Sequence, residues 1–175
     1  KENTYNVENK MMQIITGKIR PSSRHLFTIG EDLIQDKFAA IMELVKNSYD
    51  ADATEVTVNI NRKVGNSITV TVEDNGIGMS LEDIQTKWLV PSTANKLNNR
   101  ISRNGRIMQG RKGIGRYAAN ILGDDLLLST ISCQGESTEV YVDWSEFDKY
   151  DYLDEIDIVI ESSETSKRSG TILVT

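Results

Sequence analysis

Two glycine-rich turns hold the residues best suited to chemistry. Gly110, Gly113 and Gly115 form a GxxGxG run that leads into a predicted helix. Such a run lets backbone N–H groups and the helix N-terminus approach a phosphate with no Cβ in the way. The spacing is neither that of a Walker A loop nor that of a Rossmann fingerprint. A simple turn also explains the run when it is considered alone.

The other turn follows a predicted strand in the sequence EDNGIGM. Asp74 ends that strand, so its carboxylate can accept a hydrogen bond from an exocyclic amine. Gly76 and Gly78 would bring main chain against a flat ring. An ordinary tight turn is the alternative interpretation. The two turns together carry more weight than either one.

A predicted helix over residues 31–49 carries polar side chains in its middle. At about 100° per residue, Glu43, Asn47 and Asp50 lie within roughly 60° of one another. Small alanines flank this cluster, and asparagine is a weak helix former. The cluster is therefore predicted to face a site, with solvent as the alternative. The opposite stripe, predicted to face the core, consists of Ile34, Phe38, Ile41, Val45 and Tyr49.

The elements that position these residues follow from hydrophobic periodicity. Alternation predicts half-buried strands at residues 56–60 and 68–72, with Gly65 and Asn66 in the turn between them. Ser80 is predicted to cap a short helix, with Asp83 three residues on. A second helix is predicted from about Ile114, then strands near residues 125–132, 138–144, 156–161 and 171–174. This order predicts an α+β fold with helices on one face of a mixed, mostly antiparallel sheet.

Composition narrows the class of protein. The 175 residues, 38% of them hydrophobic, predict one globular domain that is a fragment of a longer protein. No apolar run is long enough for a membrane span and the start is not a signal peptide, so a cytoplasmic location is predicted. The single cysteine, Cys133, excludes an internal disulfide and is predicted to be a small buried hydrophobe.

Charge is segregated along the chain, whose formal net charge is -6. Residues 143–164 contain nine acids and one lysine, whereas residues 100–116 contain six basic residues and no acid. The basic stretch suits a small polyanion, while the acidic balance argues against general nucleic-acid binding. Residues 91–110 lack a clean period and are predicted to form a mobile lid or binding loop.

Together these motifs resemble those of the GHKL or Bergerat-fold ATPase superfamily. ELVKNSYDADA is similar to its N-box, VEDNGIGM to its adenine-binding motif and GRKGIG to its phosphate loop. KRSGT at residues 167–171 resembles the final Gly-Thr motif. The motifs occur in family order and cover nearly the whole chain. The resemblance implies a two-layer Bergerat fold over residues 31–175, with residues 1–30 as a strand or strap segment of the same domain.

The resemblance also implies Mg²⁺-dependent ATP binding and a role for each matching residue. Asp74 would hold the adenine amino group, Gly78 and Thr171 would add water-mediated contacts, and Met79 would pack on the ring. The other implied ATP contacts are Gly76, Thr93, Lys96, Gly110, Arg111, Lys112, Gly113, Ile114 and Gly115.

The N-box match extends these roles to the helix. Asn47 would bind both ATP and Mg²⁺, Glu43 would activate the attacking water, and Asp50 would brace the site. Glu43 with the sequence DADAT favours hydrolysis and the branch of heat-shock-90-like and microrchidia-like ATPases, since histidine kinases typically carry asparagine at that position. A histidine-kinase-type domain that phosphorylates a partner histidine is one alternative, and a non-catalytic nucleotide-responsive module is another.

Partners follow from the favoured branch. ATP would close the lid and allow two domains to dimerise through the N-terminal segment and the lid. Docking of the N-terminal segment on its own sheet is the alternative. A missing C-terminal output domain would act on a protein or nucleic-acid client that the sequence leaves open.

Overall fold

The computed structural model describes residues 20–25, 27–28, 34, 36–63, 65, 67–90, 100–110 and 118–175. Within this part of the chain, six strands form one sheet in which every pairing is antiparallel. The strands are β1 (Val56–Arg62), β2 (Ile68–Asp74), β3 (Asp125–Ile131), β4 (Glu136–Asp143), β5 (Val159–Glu164) and β6 (Gly170–Val174). Their order is β1-β2-β6-β3-β4-β5. The predicted α+β class is confirmed.

The β1–β2 hairpin follows the predicted alternation. Val58 pairs with Val72 and Ile60 pairs with Val70, so these four side chains share one face of the sheet. Val70 and Val72 are buried beneath the helices, and the threonines between them face the other side. Lys63 closes the hairpin by donating its N–H to the carbonyl of Ser67 at 2.8 Å. Asn66 of the predicted turn lies outside the described residues.

Besides two short 3-10 helices, Trp144–Asp148 and Leu153–Glu155, the described part of the chain includes three α-helices. They are α1 (Lys37–Asp50), α2 (Leu81–Asp83), which continues as a π-helical turn (Ile84–Trp88), and α3 (Ala119–Leu122). Asp36 caps α1 by accepting from the Ala39 N–H at 2.8 Å. Ser80 and Asp83 form the predicted capping box at the start of α2. The start of the second predicted helix, near Ile114, lies outside the described residues.

The core lies between the helices and one face of the sheet. Burying each large aliphatic side chain there contributes about 1.5–3 kcal/mol to folding. The buried members on these elements are Ala40 and Leu44 of α1, Ile84 and Trp88 of the π-helical turn, Ala119 and Leu122 of α3, and Val70, Val72, Leu126, Leu128, Val140, Val142 and Leu173 of the sheet; Ile34, Ala118, Trp144 and Phe147 complete the cluster. Helix α1 contacts both α3 and β2. This packing positions α1 beside the end of β2.

The predicted apolar stripe of α1 is wrong in part. Ile34 is buried, but Phe38 is 79% exposed and Tyr49 is 40% exposed. The buried face is instead that of Ala40, Leu44 and Ser48. The small side chains of Ala40 and Ser48 fit where α1 packs against β2 and α3, and close packing of such small residues lets the helix lie near the sheet. The polar residues at 43, 47 and 50 consequently lie half-buried or buried.

Cys133 is also placed differently from its prediction. It lies exposed at the turn between β3 and β4, where its sulfur accepts a hydrogen bond from the guanidinium of Arg103 at 3.1 Å. The apolar sequence before it is β3, whose inward-facing residues end at Thr130. The chain has left the core by residue 133.

Residues 20–23 contact the segment before β5. The Ser23 N–H donates to the carbonyl of Asp151 at 3.0 Å, and the Leu153 N–H donates to that of Pro21 at 3.2 Å. Residues 1–19, including most of the predicted N-terminal strand, lie outside the described residues. In the part of the chain that the structure describes, no helix is both long and apolar enough to cross a membrane.

The ends of the sheet are β1 and β5 among the described strands. Strand β5 is exposed at every position except Ile160. Glu161 and Glu164 lie on this strand.

Candidate functional site

The carboxylate of Asp74 is fixed by two protein hydrogen bonds. Asp74 is the last residue of β2 and is half-buried. One oxygen, Oδ2, accepts from the hydroxyl of Ser48 on α1 at 2.8 Å, and Oδ1 accepts from the Gly76 N–H at 2.9 Å. A carboxylate has about four lone-pair sites, so these bonds leave acceptor capacity for a ligand. The helix and the turn therefore hold one carboxylate in a defined orientation.

Gly76 and Gly78 are required by packing against protein backbone. A Cβ on Gly76 would lie 2.6 Å from the carbonyl oxygen of Ala51, and one on Gly78 would lie 1.8 Å from that of Ile131. Gly78 also has a backbone φ of +64°, a value that residues other than glycine rarely adopt. The sequence interpretation placed these glycines against a ligand ring. In the structure their immediate role is to bring the end of α1, the turn and β3 together.

Thr171 and Met79 join Asp74 at the same place. Thr171 lies directly opposite Asp74 in the β2–β6 pairing and directly opposite Thr130 in the β3–β6 pairing. The Met79 N–H donates to the Thr130 hydroxyl at 3.0 Å, and that hydroxyl lies 3.0 Å from the hydroxyl of Thr171. The predicted residues of the adenine motif and of the Gly-Thr motif thus meet through Thr130, which was not predicted from the sequence. A buried threonine in a strand gives no distinctive signal.

The polar face of α1 lies next to this carboxylate. Ser48, which bonds to Asp74, directly follows Asn47, and Glu43 is four residues before Asn47 on the same helix. Glu43 and Asn47 are half-buried. The Glu43 carboxylate accepts from the ammonium group of Lys46 at 2.7 Å. A carboxylate and an amide are therefore one helical turn apart on a partly covered face.

Asp50 connects α1 to the start of the glycine run. It is 8% exposed, and its two carboxylate oxygens accept from the backbone N–H groups of Gln109 and Gly110 at 2.7 and 3.0 Å. Hydrogen bonds to a charged acceptor are stronger than neutral ones. Asp50 thus fixes Gly110, the first glycine of the GxxGxG run.

Residues 100–110 form a small antiparallel turn that contacts the end of α1. We call this segment the docked hairpin. An isolated bridge pairs Ile101 with Ile107, and the Met108 N–H donates to the carbonyl of Arg100 at 2.9 Å. Backbone and side-chain hydrogen bonds hold this part of the predicted lid or binding loop, and its mobility stays a prediction. Residues 91–99 lie outside the described residues.

Asp52 anchors the docked hairpin. It has a φ of +61°, a conformation that aspartate tolerates better than most residues, and it is 5% exposed. Its carboxylate accepts from the Ser102 hydroxyl at 2.5 Å and from the Asn104 N–H at 3.0 Å. The Arg106 guanidinium donates to the Ala53 carbonyl at 2.6 Å. Sequence reasoning missed this role, although a second aspartate in DADA just after a helix was an available signal.

The helix after the adenine motif is fixed by charge as well as by its cap. Burial would raise the pKa of Asp83, but hydrogen bonds from the Lys87 ammonium and from Ser80 outweigh it, so this pKa lies below its usual value of 3.8. The carboxylate is therefore ionised at neutral pH and stabilises the first turn of α2.

Several predicted site residues lie outside the described part of the chain. They are Thr93 and Lys96 of the predicted lid, and Arg111, Lys112, Gly113, Ile114 and Gly115 of the phosphate-loop motif. The described members Asp74, Gly76, Gly78, Met79 and Thr171 are brought together, and Asp50 is brought to Gly110.

A known protein family matches most of the chain. The family described as "Histidine kinase-, DNA gyrase B-, and HSP90-like ATPase" matches residues 35–171. This range includes the N-box, both glycine-rich turns and the Gly-Thr motif.

Curated proteins similar to this chain carry two kinds of name. A protein named putative type II restriction enzyme HgiDII, from Herpetosiphon aurantiacus, is 37% identical over 106 residues, which cover 61% of this chain and 16% of that protein. The DNA mismatch repair protein MutL of Crocosphaera subtropica is 42% identical over 67 residues, covering 38% of this chain and 11% of that protein. MutL of Aquifex aeolicus is 28% identical over 123 residues, covering 70% and 28%. The matched part of the chain thus spans between 11% and 28% of the length of these relatives.

Proposed function

The chain belongs to the histidine kinase-, DNA gyrase B- and HSP90-like ATPase family, and we propose that it binds ATP with Mg²⁺ and hydrolyses it to ADP and phosphate. The observation that carries this proposal is the Asp74 carboxylate, which Ser48 and Gly76 orient beside Thr171. An oriented acceptor at this position suits the exocyclic amine of adenine. The family match over residues 35–171 supports ATP as the ligand.

The same carboxylate favours adenine over guanine. Adenine carries an amine at C6, which donates to a carboxylate, whereas guanine carries a carbonyl oxygen there, which the carboxylate repels. When a binding site contains a polar group that needs a hydrogen-bond partner, a ligand without that partner binds much more weakly. A purely apolar pocket discriminates less between two such ligands. We therefore propose that Asp74 is the main determinant of base selection.

The half-buried face of α1 suits a hydrated divalent cation. The Asn47 amide oxygen is a hard ligand of the kind that Mg²⁺ accepts, and the ion usually takes its other ligands from substrate phosphates and water. When bound, Mg²⁺ would neutralise negative charge on the transferring phosphoryl group. Gly110, held by Asp50, begins the loop in which Lys112, Gly113 and Gly115 would contact the phosphates.

Glu43 is the group we assign to water activation. It lies one helical turn before Asn47, and its contact with Lys46 limits the orientations of the carboxylate. In the proposed step the water oxygen bonds to the γ-phosphorus, the bond to the β–γ bridging oxygen breaks, and Glu43 takes the water proton. ADP keeps the bridging oxygen and phosphate is released.

The wider cycle is proposed from the family and from its named relatives. ATP would close a lid that contains Thr93 and Lys96 and would promote pairing of two copies of the domain, as part of a larger protein. We keep the heat-shock-90-like and microrchidia-like branch as the working assignment. The relatives MutL and HgiDII are named for DNA mismatch repair and restriction, which suggests a role in a DNA-directed system. This domain has a net charge of -6, and DNA is also negatively charged. Direct contact with DNA would therefore be made by other domains of the larger protein.

The test is calorimetry with ATP and GTP on wild type and Asp74→Asn. Asparagine keeps the shape but loses the charge, so ATP affinity should fall roughly 10- to 150-fold, the equivalent of about 1.5–3 kcal/mol for a hydrogen bond to a charged group. Glu73→Gln is the matched control, because Glu73 is the preceding residue and is exposed. Equal ATP affinity in wild type and Asp74→Asn, with both folded by circular dichroism, would refute the base-binding role of Asp74.

A further inference from the structure

Thr130 is a buried hydroxyl at the junction of three pieces of the proposed base site. It is 1% exposed on β3, and its Oγ1 contacts Met79, Gly170 and Thr171. Met79 follows the adenine-motif turn, and the other two begin β6. The Thr130 side chain faces the core side of the sheet, as does that of Leu128 two residues before it on β3.

A count of protons fixes the direction of each hydrogen bond. A threonine hydroxyl has one hydrogen and two lone pairs. The Met79 N–H can only donate to Thr130, at 3.0 Å, and the Gly170 carbonyl can only accept from it, at 3.3 Å. The hydrogen of Thr130 is therefore used on Gly170, and the contact of 3.0 Å to Thr171 is made only if the Thr171 hydroxyl donates. This is the one assignment that satisfies all three contacts.

The consequence concerns the Thr171 hydroxyl. Its only hydrogen is directed at Thr130, so it presents lone pairs to the base site. The neighbouring carboxylate of Asp74, whose oxygens accept from Ser48 and Gly76, is also an acceptor. The polar groups opposite each other at the ends of β2 and β6 are then both acceptors.

We infer that Thr130 is a specificity-determining positioning residue, which holds the Thr171 hydroxyl as an acceptor and so makes the base site select for an exocyclic amine. The inference rests on the proposed ATP site. Thr130 does not touch the base itself. Its effect on selection acts through Thr171 and through the Met79 main chain.

The experiment compares ATP with ITP, which differs in carrying a carbonyl oxygen in place of the amine at C6. Thr130→Val keeps the side-chain shape but removes the hydroxyl, so Thr171 becomes free to donate. We expect ATP affinity to fall about tenfold, the size expected for one lost hydrogen bond, while ITP affinity changes by less than twofold. The turnover number at saturating ATP should stay within twofold. The preference for ATP over ITP should therefore shrink about tenfold.

Thr138→Val is the matched control. Thr138 lies directly opposite Thr130 on β4, is fully buried, and also bonds hydroxyl to hydroxyl, with Ser162 at 3.3 Å. It contacts none of the proposed base-site residues in the described bonds. We expect the ATP to ITP preference of this variant to match that of wild type.

Thr130→Ser keeps the hydroxyl and provides a second, independent test. We expect it to retain ATP affinity and selectivity within about twofold, including in the case that Thr130→Val does not fold. An unchanged ATP to ITP ratio in folded Thr130→Val, an equal change in Thr138→Val, or a loss of selectivity in Thr130→Ser would each overturn the inference. Failure of wild type to bind ATP would instead refute the proposed function.

Discussion

Replacing Asp50 by asparagine tests whether α1 controls the start of the phosphate loop. The carboxylate accepts two backbone N–H groups, from Gln109 and Gly110, at a position that is 8% exposed. An asparagine has one oxygen and one amide group, so it can accept from only one of them, and its own N–H₂ would oppose the other. A hydrogen bond to a charged group contributes about 1.5–3 kcal/mol. We expect a loss of about 2 kcal/mol in the free energy of unfolding.

This loss has two measurable consequences. A domain of this size loses about 2–4 °C in Tm for each kcal/mol, so Tm should fall by roughly 4–8 °C. If the docked hairpin opens locally, hydrogen exchange of the Gly110 amide should accelerate about 30-fold, because a loss of about 2 kcal/mol raises the equilibrium constant for opening by that factor. Asp157→Asn, at an exposed position, serves as the control. Unchanged exchange at Gly110 together with an unchanged Tm would show that Asp50 does not hold the loop.

Four further predictions follow from the site. Glu43→Ala should keep ATP affinity but slow hydrolysis by roughly 10²-fold or more; hydrolysis at the wild-type rate in a phosphate-release assay would exclude Glu43 as the base and favour the histidine-kinase alternative. Gly78→Ala should lower Tm sharply, because its Cβ would lie 1.8 Å from the Ile131 carbonyl oxygen, and a Tm within 2 °C of wild type, about 1 kcal/mol or less, would contradict that packing. The pKa of Asp83 is depressed in the folded protein, so its contribution to stability is present above pH 3.8 and is lost as the pH falls through the folded pKa. The Asp83→Asn variant should therefore lose less stability than wild type when urea unfolding is measured at decreasing pH. An equal loss of stability in the variant and in wild type would contradict this role of Asp83. Activity per monomer should rise with protein concentration if two copies must pair, and a flat rate over a hundredfold range would argue for a self-contained ATPase.

The strands could be predicted from the sequence because their side chains alternate. Val70 and Val72 face the core while Thr69 and Thr71 face away. This alternation of apolar and polar residues indicates a half-buried strand without any knowledge of the tertiary structure. The cap at Ser80 was predictable for a similar reason, because its geometry is local. These features located β2 and the turn after it, and with them Asp74.

The orientation of α1 could not be predicted from hydrophobicity alone. Large side chains such as Phe38 suggested the buried face, but close approach to the sheet favours Ala40 and Ser48 there. Thr130 was missed for a different reason. Its importance comes from the pairing of β3 with β6, which brings residues 41 positions apart into contact. Such a contact is a property of the sheet order, which periodicity does not reveal.

The acidic edge strand β5 has a consequence for the protein in concentrated solution. An exposed strand at the end of a sheet offers unpaired N–H and C=O groups, and two molecules can join there to begin a fibre or an amorphous aggregate. On β5, Glu161 and Glu164 place like charges along that edge in every molecule, so the approach of a second copy brings carboxylates against carboxylates. Among the described strands β5 has a neighbour on one side only, and this repulsion opposes pairing of its other edge with a second molecule. The repulsion weakens in high salt, and light scattering should therefore detect self-association first at high ionic strength.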